Sequence, residues 1–483
     1  MKNTFTKILF MLMVLGGLSF VACEENSTEP IEEDLNNEGR FCDTIAYMYE
    51  QNPDSLYIGW ELLPIIGESG NWLVPMQPCI GELTDLRSLS MREGVNDSLP
   101  DELTNLINLE YLDLYANRIE VLPDSIGKMK SLKYLDLSAN ELEKLPFSFG
   151  YLSELQYLDL AGNKIDAYPQ SFDRLSNLTV LKVQFNKLAS IPKSISNLTG
   201  LRELLVGHNN LVNLPNSIDK LTNLLRFDLK GNELESLPES FGKLANLQML
   251  ELQFNQLTSL PENFGDLKGL VSLDLTLNKI TNLPNSFGRL VNLEELTLSE
   301  NQITNLPDDI GNLINLTHLL LTSNDLAELP ESIGNLQNLV RLNISKNELN
   351  AIPESIGNLD NLEYLSITHN NLQELPESIG NLSNLRLLTL FYNNFTEFPA
   401  SIINLQNLES LELSGNNLKT IPESIGNMSK LSYLHLVNND LSTLPESIKN
   451  LVNLKVLQLS GNNFSETEKQ KIESCLPNCE IRW

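Results

Sequence analysis

The sequence predicts an α/β solenoid: a horseshoe with a parallel β-sheet on its concave side and short helical or 3-10 segments on its convex side. Three observations predict it. From Asn117 to Asn462 an asparagine recurs every 23 residues, sixteen times without a slip. From Pro100 to Pro445 a proline recurs sixteen times at the same step. Between the two ladders runs a fixed apolar frame, as in Leu109, Leu112, Leu114, Ile119, Leu122, Ile126 and Met129. A period held over so many turns means that each turn stacks on the last and the stack buries one continuous core.

Within one turn, Leu112 and Leu114 alternate with Tyr111, Asp113 and Tyr115. Alternation puts the leucines inside and the others on the opposite face of a short strand. Asn117 follows where the backbone must turn. Its amide is expected to bond unpaired backbone groups of its own turn and the neighbouring one, and sixteen such amides would form an internal ladder. Pro123 sets φ and opens a brief helical or 3-10 segment, Asp124-Ser125-Ile126. Gly127, matched by glycine in nine other turns, is expected to end that segment in a left-handed conformation.

Along the chain, residues 1–22 stand apart from the frame. Lys2 and Lys7 precede an apolar stretch from Ile8 to Val21, shorter than a typical membrane span, which reads as a signal peptide. Phe20-Val21-Ala22-Cys23 resembles a bacterial lipobox, with Phe20 where Leu is usual. The resemblance implies that Cys23 carries lipid, such as palmitate, and becomes the new N-terminus. Residues 23–40 hold seven acidic residues and one basic, and are expected to be a flexible tether. Acidic residues after a lipidated cysteine resemble the surface-export signal of some Gram-negative lipoproteins; a plain solvated spacer is the alternative. Residues 41–85 are rich in aromatics (Phe41, Tyr47, Tyr49, Tyr57, Trp60, Trp72) and read as an N-terminal cap, with Asp43 capping a helix that runs to Gln51. Residues 86–463 hold about 16–17 repeats, the first with Gly94 in place of the ladder asparagine. Residues 464–483 read as a C-terminal cap, in which Leu476, Cys479 and Ile481 repeat the strand spacing once more. The remaining cysteines, Cys42 with Cys79 and Cys475 with Cys479, flank the two ends of the array. They are candidate disulfide pairs in an exported protein, and no metal spacing is present.

The unit Leu329-Pro330-Glu331-Ser332-Ile333-Gly334-Asn335-Leu336 resembles the short 23-residue class of leucine-rich repeat. That class occurs in Ras-pathway scaffold proteins and in bacterial lipoproteins, and the leader points to the latter. The aromatic and cysteine content of residues 41–85 resembles the N-terminal cap of extracellular proteins of this family. The resemblance implies a non-catalytic module that binds a partner on the concave sheet, lipid-anchored to the bacterial outer membrane. Whether it faces the periplasm or the cell surface is open.

Of 483 residues, 41% are hydrophobic, and the formal charge is −30. Loss of residues 1–22 removes two positive charges and no negative one, leaving −32. This charge excludes nucleic acid as a natural partner and favours cationic ones. No convergent catalytic set is visible: His208, His318, His369 and His435 fall on separate turns, so no enzyme activity and no cofactor are expected. Tyr111, Tyr134 and Tyr157 form a column beside Asp113, Asp136 and Asp159. Such a face suits a basic protein or peptide, a cation or a glycan, while duplication of one repeat also explains it. Just before the ladder asparagine many turns carry a small residue, as at Ala139, Gly162, Gly231, Ser323, Gly415 and Gly461. Phe185, Phe254, Leu277 and Tyr392, with Phe391 adjoining, break that habit and are candidate contact anchors. An adhesion protein and a purely architectural envelope protein are the other classes the sequence allows.

Overall fold

A computed structural model describes residues 37–51, 54–57 and 75–483. The signal segment, Cys23, most of the acidic tether, and Trp60 and Trp72 lie outside the described residues. Among the described residues nineteen three-residue strands form one sheet, from β1 (Ser55–Tyr57) to β19 (Glu480–Arg482), each parallel to the one before. In the regular turns the register advances by one repeat, so Tyr111 pairs with Tyr134 and Leu112 with Leu135. The 3-10 segments stack on the other side, most of them beginning directly after the ladder proline, as at Asp308–Asn312 after Pro307. The frame leucines fill the space between and are buried throughout. On the convex side of the core Phe241, Phe264 and Phe287 stack in parallel at 6.4 and 6.2 Å.

The asparagines bond as their spacing predicts. Asn140 Nδ2 donates to Leu137 O in its own turn and to Leu114 O in the previous one, both at 3.0 Å. Its Oδ1 accepts the Ile119 N–H at 3.0 Å. The pattern repeats to Asn462. Asn96, two residues past Gly94, extends it toward the cap: it accepts the Met76 N–H and donates to Asn117 Oδ1. A second, solvent-facing asparagine ladder accompanies the first. Asn223, Asn246 and Asn338, for example, each donate to the carbonyl 24 residues earlier.

Gly127 departs from expectation. Its φ is not positive; it sits inside the 3-10 segment Ile126–Lys128. A Cβ there would lie 2.2 Å from Ser148 O of the next turn. The glycine is required by close stacking, not by a left-handed cap. The left-handed residue of each turn is instead the one before the ladder asparagine, for example Ala116 at φ 54°.

At the N-terminal end, helix α1 (Asn37–Gln51) begins six residues before Asp43, which therefore lies within it and caps nothing. Phe41 and Ile45 bury one face against the first turns. Cys42 is disulfide-bonded to Cys79, which ties α1 to the first 3-10 segment, Pro78–Glu82. At the C-terminal end, helix α2 (Glu466–Cys475) is capped by Ser465, whose side chain accepts from Glu468 N. Cys475 and Cys479 are free thiols, contrary to the candidate pairing; each packs against the end of the core instead. The last strand is offset by one residue, so that Ile481, not Cys479, pairs with Leu457.

Candidate functional site

The candidate contact residues stand on the strands of the sheet and in the turns directly after them. In β3 (Tyr111–Asp113), β4 (Tyr134–Asp136) and β5 (Tyr157–Asp159) the in-register pairing stands tyrosine on tyrosine and aspartate on aspartate. The rings stack at 4.3 and 4.4 Å, nearly parallel, so each inner face is covered by a neighbour. Lys182 closes one end of the column. Its Nζ donates to Tyr157 OH at 2.7 Å and lies 4.9 Å from the ring centre.

The aspartates were expected on the surface, and the structure buries all three. The reason is local. Each carboxylate turns back to accept the N–H two residues on, from Tyr115, Ser138 and Ala161 at 3.1, 2.9 and 3.0 Å. The neighbouring turns then cover it. Burial pushes the Asp113 and Asp159 carboxyls above their ordinary value, outweighing Arg92 at 3.1 Å and Lys182 at 3.6 Å. Burial, followed by the charge of Asp113, pushes the Tyr111 hydroxyl up to about 12. Burial also raises Tyr134, with Tyr157 and Asp136 adding to it. The column is therefore a structural feature more than an exposed anionic surface.

The other candidates behave differently. Phe185, Phe254 and Tyr392 are 59%, 53% and 51% exposed, and Leu277 is half-buried. All four stand at the left-handed position, with φ of 55°, 60°, 54° and 55° respectively. Gly162, Gly231, Gly415 and Gly461 hold the same place in other turns. A bulky side chain there costs about 1–2 kcal/mol of backbone strain. The rings of Phe185 and Tyr392 also rest on neighbouring turns. Phe185 stacks on His208 at 4.4 Å. Tyr392 covers Gly415 and leans on His369 at 4.5 Å, with half-buried Phe391 edge-on at 5.6 Å. Packing and exposure thus coexist at these rim positions.

An ion network that sequence reasoning missed lies between the rim groups. Arg226 meets Glu251 at 3.1 Å, and Lys230 reaches Asp228 at 3.6 Å and Glu251 at 3.8 Å. Arg226, Asp228 and Lys230 alternate along one turn and Glu251 pairs with Asp228 in the next, which was the available signal. Glu203, Glu295 and Glu300 nearby carry no ion pair among the described residues. No group of three His, Cys, Asp or Glu among the described residues could hold a metal ion.

The family described as "Leucine-rich repeat region" matches residues 124–224, 287–375 and 369–476. Two shorter repeat families match residues 199–257 with 260–303, and 108–129. No curated protein matches the chain. Among solved structures, a leucine-rich-repeat protein of Leptospira interrogans is 36% identical with a TM-score of 0.69, over 83% of this chain and 96% of that one. The plant peptide hormone receptor RGFR1, solved in complex with RGF2, is 32% identical with a TM-score of 0.69, over 79% of this chain and 64% of that one. The Arabidopsis receptor kinase HAESA, solved with the peptide hormone IDA and the co-receptor SERK1, is 30% identical with a TM-score of 0.66, over 85% and 70%.

Proposed function

This chain belongs to the leucine-rich-repeat family, and from that premise we propose that it is a non-catalytic recognition module that binds a protein or peptide on its concave face. The observation that carries the proposal is the rim: Phe185, Phe254, Leu277 and Tyr392 keep bulky apolar groups at a backbone position where glycine would be cheaper. The left-handed backbone is common to the turns, since Ala116, His208, Glu300, Lys346 and His369 share it; what sets these four apart is apolar area left at that position, exposed at Phe185, Phe254 and Tyr392. The solved relatives in complex with peptide hormones support a peptide or protein as the class of ligand. The unpaired acids Glu203, Glu295 and Glu300 between the rim groups favour a ligand with basic as well as apolar side chains. A glycan reading loses ground, because the tyrosine faces that would stack on sugar are stacked on one another.

The proposed setting is a lipid anchor at Cys23 on the bacterial outer membrane. Cys23→Ala is expected to release the protein from the membrane fraction without changing its circular dichroism; retention in that fraction would contradict the anchor.

Crosslinking on intact cells tests the binding proposal, comparing the wild type with a variant carrying Phe185→Gly, Phe254→Gly, Leu277→Gly and Tyr392→Gly. A defined crosslinked partner is expected with the wild type and should disappear in the variant. The same partner captured equally by both proteins would place the binding surface elsewhere.

A further inference from the structure

The convex side carries a second feature that the concave account does not use. Phe147 follows the ladder proline, where other turns carry Glu239, Glu331, Glu354 and Glu377. Tyr151 follows the stacking glycine, where other turns carry Lys128, Lys220, Asn312 and Asn335. Both aromatics are exposed, and both belong to one repeat. Their rings meet edge-on at 6.0 Å. The core needs neither, since Phe149 between them is the buried residue of that segment.

Arg174 of the next turn joins them. Its guanidinium lies 4.9 Å from the Tyr151 ring centre and 5.7 Å from that of Phe147. The residue is exposed and forms no ion pair among the described residues. Lys128 and Lys220 hold the same position two turns to either side, exposed and also unpaired. In a chain of formal charge −30, three cations without ion pairs thus stand along the row that carries the two exposed rings.

We propose that Phe147, Tyr151 and Arg174 form a docking site on the convex side for an acidic peptide segment in which a carboxylate neighbours an apolar side chain. The chemistry of each part fits. The Tyr151 ring, 4.9 Å from the guanidinium carbon, and the Phe147 ring set at 78° to it fix the guanidinium, whose planar fork can grip a carboxylate with two parallel hydrogen bonds. The exposed Phe147 ring offers apolar area beside that contact. Lys128 and Lys220 add longer-range attraction for further acidic residues. A membrane surface is the weaker match, because anionic lipid is recognised by clusters of about four to eight basic residues, and here Lys128, Arg174, Lys193 and Lys220 are strung over five turns and interspersed with Asp124, Asp173 and Asp219.

The test uses the full chain and a labelled synthetic peptide of alternating glutamate and phenylalanine, with a lysine–phenylalanine peptide and phosphatidylglycerol vesicles as comparators. The acidic peptide is expected to bind, more weakly as salt rises. Its affinity is expected to fall about tenfold or more in Tyr151→Asn/Arg174→Asn, which installs residues that other turns already carry and so should keep the urea midpoint. Arg174→Lys, which retains the charge but not the fork, should give an intermediate loss. Phe254→Gly, on the concave rim, should leave this affinity unchanged, so failure here is distinguishable from failure of the concave proposal. Equal affinity in the double variant, equal binding of the lysine peptide, or binding to vesicles but not to the acidic peptide would each overturn the site.

Discussion

Two sets of aromatic residues, one within the strands and one in the turns directly after them, are used in opposite ways. Tyr111, Tyr134 and Tyr157 stand within strands at ordinary backbone angles, and their faces are consumed by mutual stacking. Phe185, Phe254 and Tyr392 stand one residue before a ladder asparagine, in left-handed backbone, and half or more of their surface faces solvent. An aromatic residue in a repeat protein is thus informative only with its backbone position. Within the strand it stabilises the array; at the rim it opposes the local preference and remains available for contact.

Both sets hang from the asparagine ladder, so breaking the ladder should have the largest effect. Asn278 donates to Leu252 O and Leu275 O and accepts from Leu257 N, each at 3.0 Å. Asn278→Ala strands those three groups, at about 1–3 kcal/mol for each one left unsatisfied. Asn282 is exposed and reaches only Thr281 Oγ1, so Asn282→Ala should be nearly neutral. Urea denaturation of the two variants checks this, and equal midpoints would contradict the ladder account.

A smaller effect sharpens the reading of the aspartate column. Burial raises the Asp113 and Asp159 carboxyls in the folded state, so folding favours their protonated forms. The resulting stabilisation is fully present below the ordinary carboxylate value and is lost as pH climbs through the raised folded values. Wild-type melting temperature should therefore carry a downward component as pH rises through that window. Asp113→Asn/Asp159→Asn keeps an oxygen to accept the Tyr115 and Ala161 N–H groups and removes the titration. Its melting temperature should fall less steeply over the same range. Identical slopes for the two proteins would mean that these carboxyls are not buried as described.

The fold was almost wholly legible, because the ladder asparagines, prolines and frame leucines each perform one backbone or core task that no other residue does as well. Depth was not legible. Alternation assigns Asp113 to the concave face, but its burial depends on side chains 23 residues away and on its turn back to Tyr115 N. Gly127 was read through its own dihedral, whereas the constraint comes from Ser148 of the next turn. The final strand escaped the period because the cap shifts its register by one residue. The rim anchors were visible as departures from a small-residue habit, yet only the positive φ shows what that departure costs.

The central claim is that the rim aromatics are kept against the interest of the fold, and paired urea midpoints of Phe254→Gly and Tyr134→Ala test it most directly. Tyr134→Ala removes two ring stacks worth about 0.5–1.5 kcal/mol each and should lower the midpoint. Phe254→Gly relieves left-handed strain of about 1–2 kcal/mol, partly offset by the greater freedom of glycine in the unfolded chain, and should hold the midpoint or raise it. A fall for Phe254→Gly as large as that for Tyr134→Ala would show that the rim residues serve the fold, and the claim would not stand.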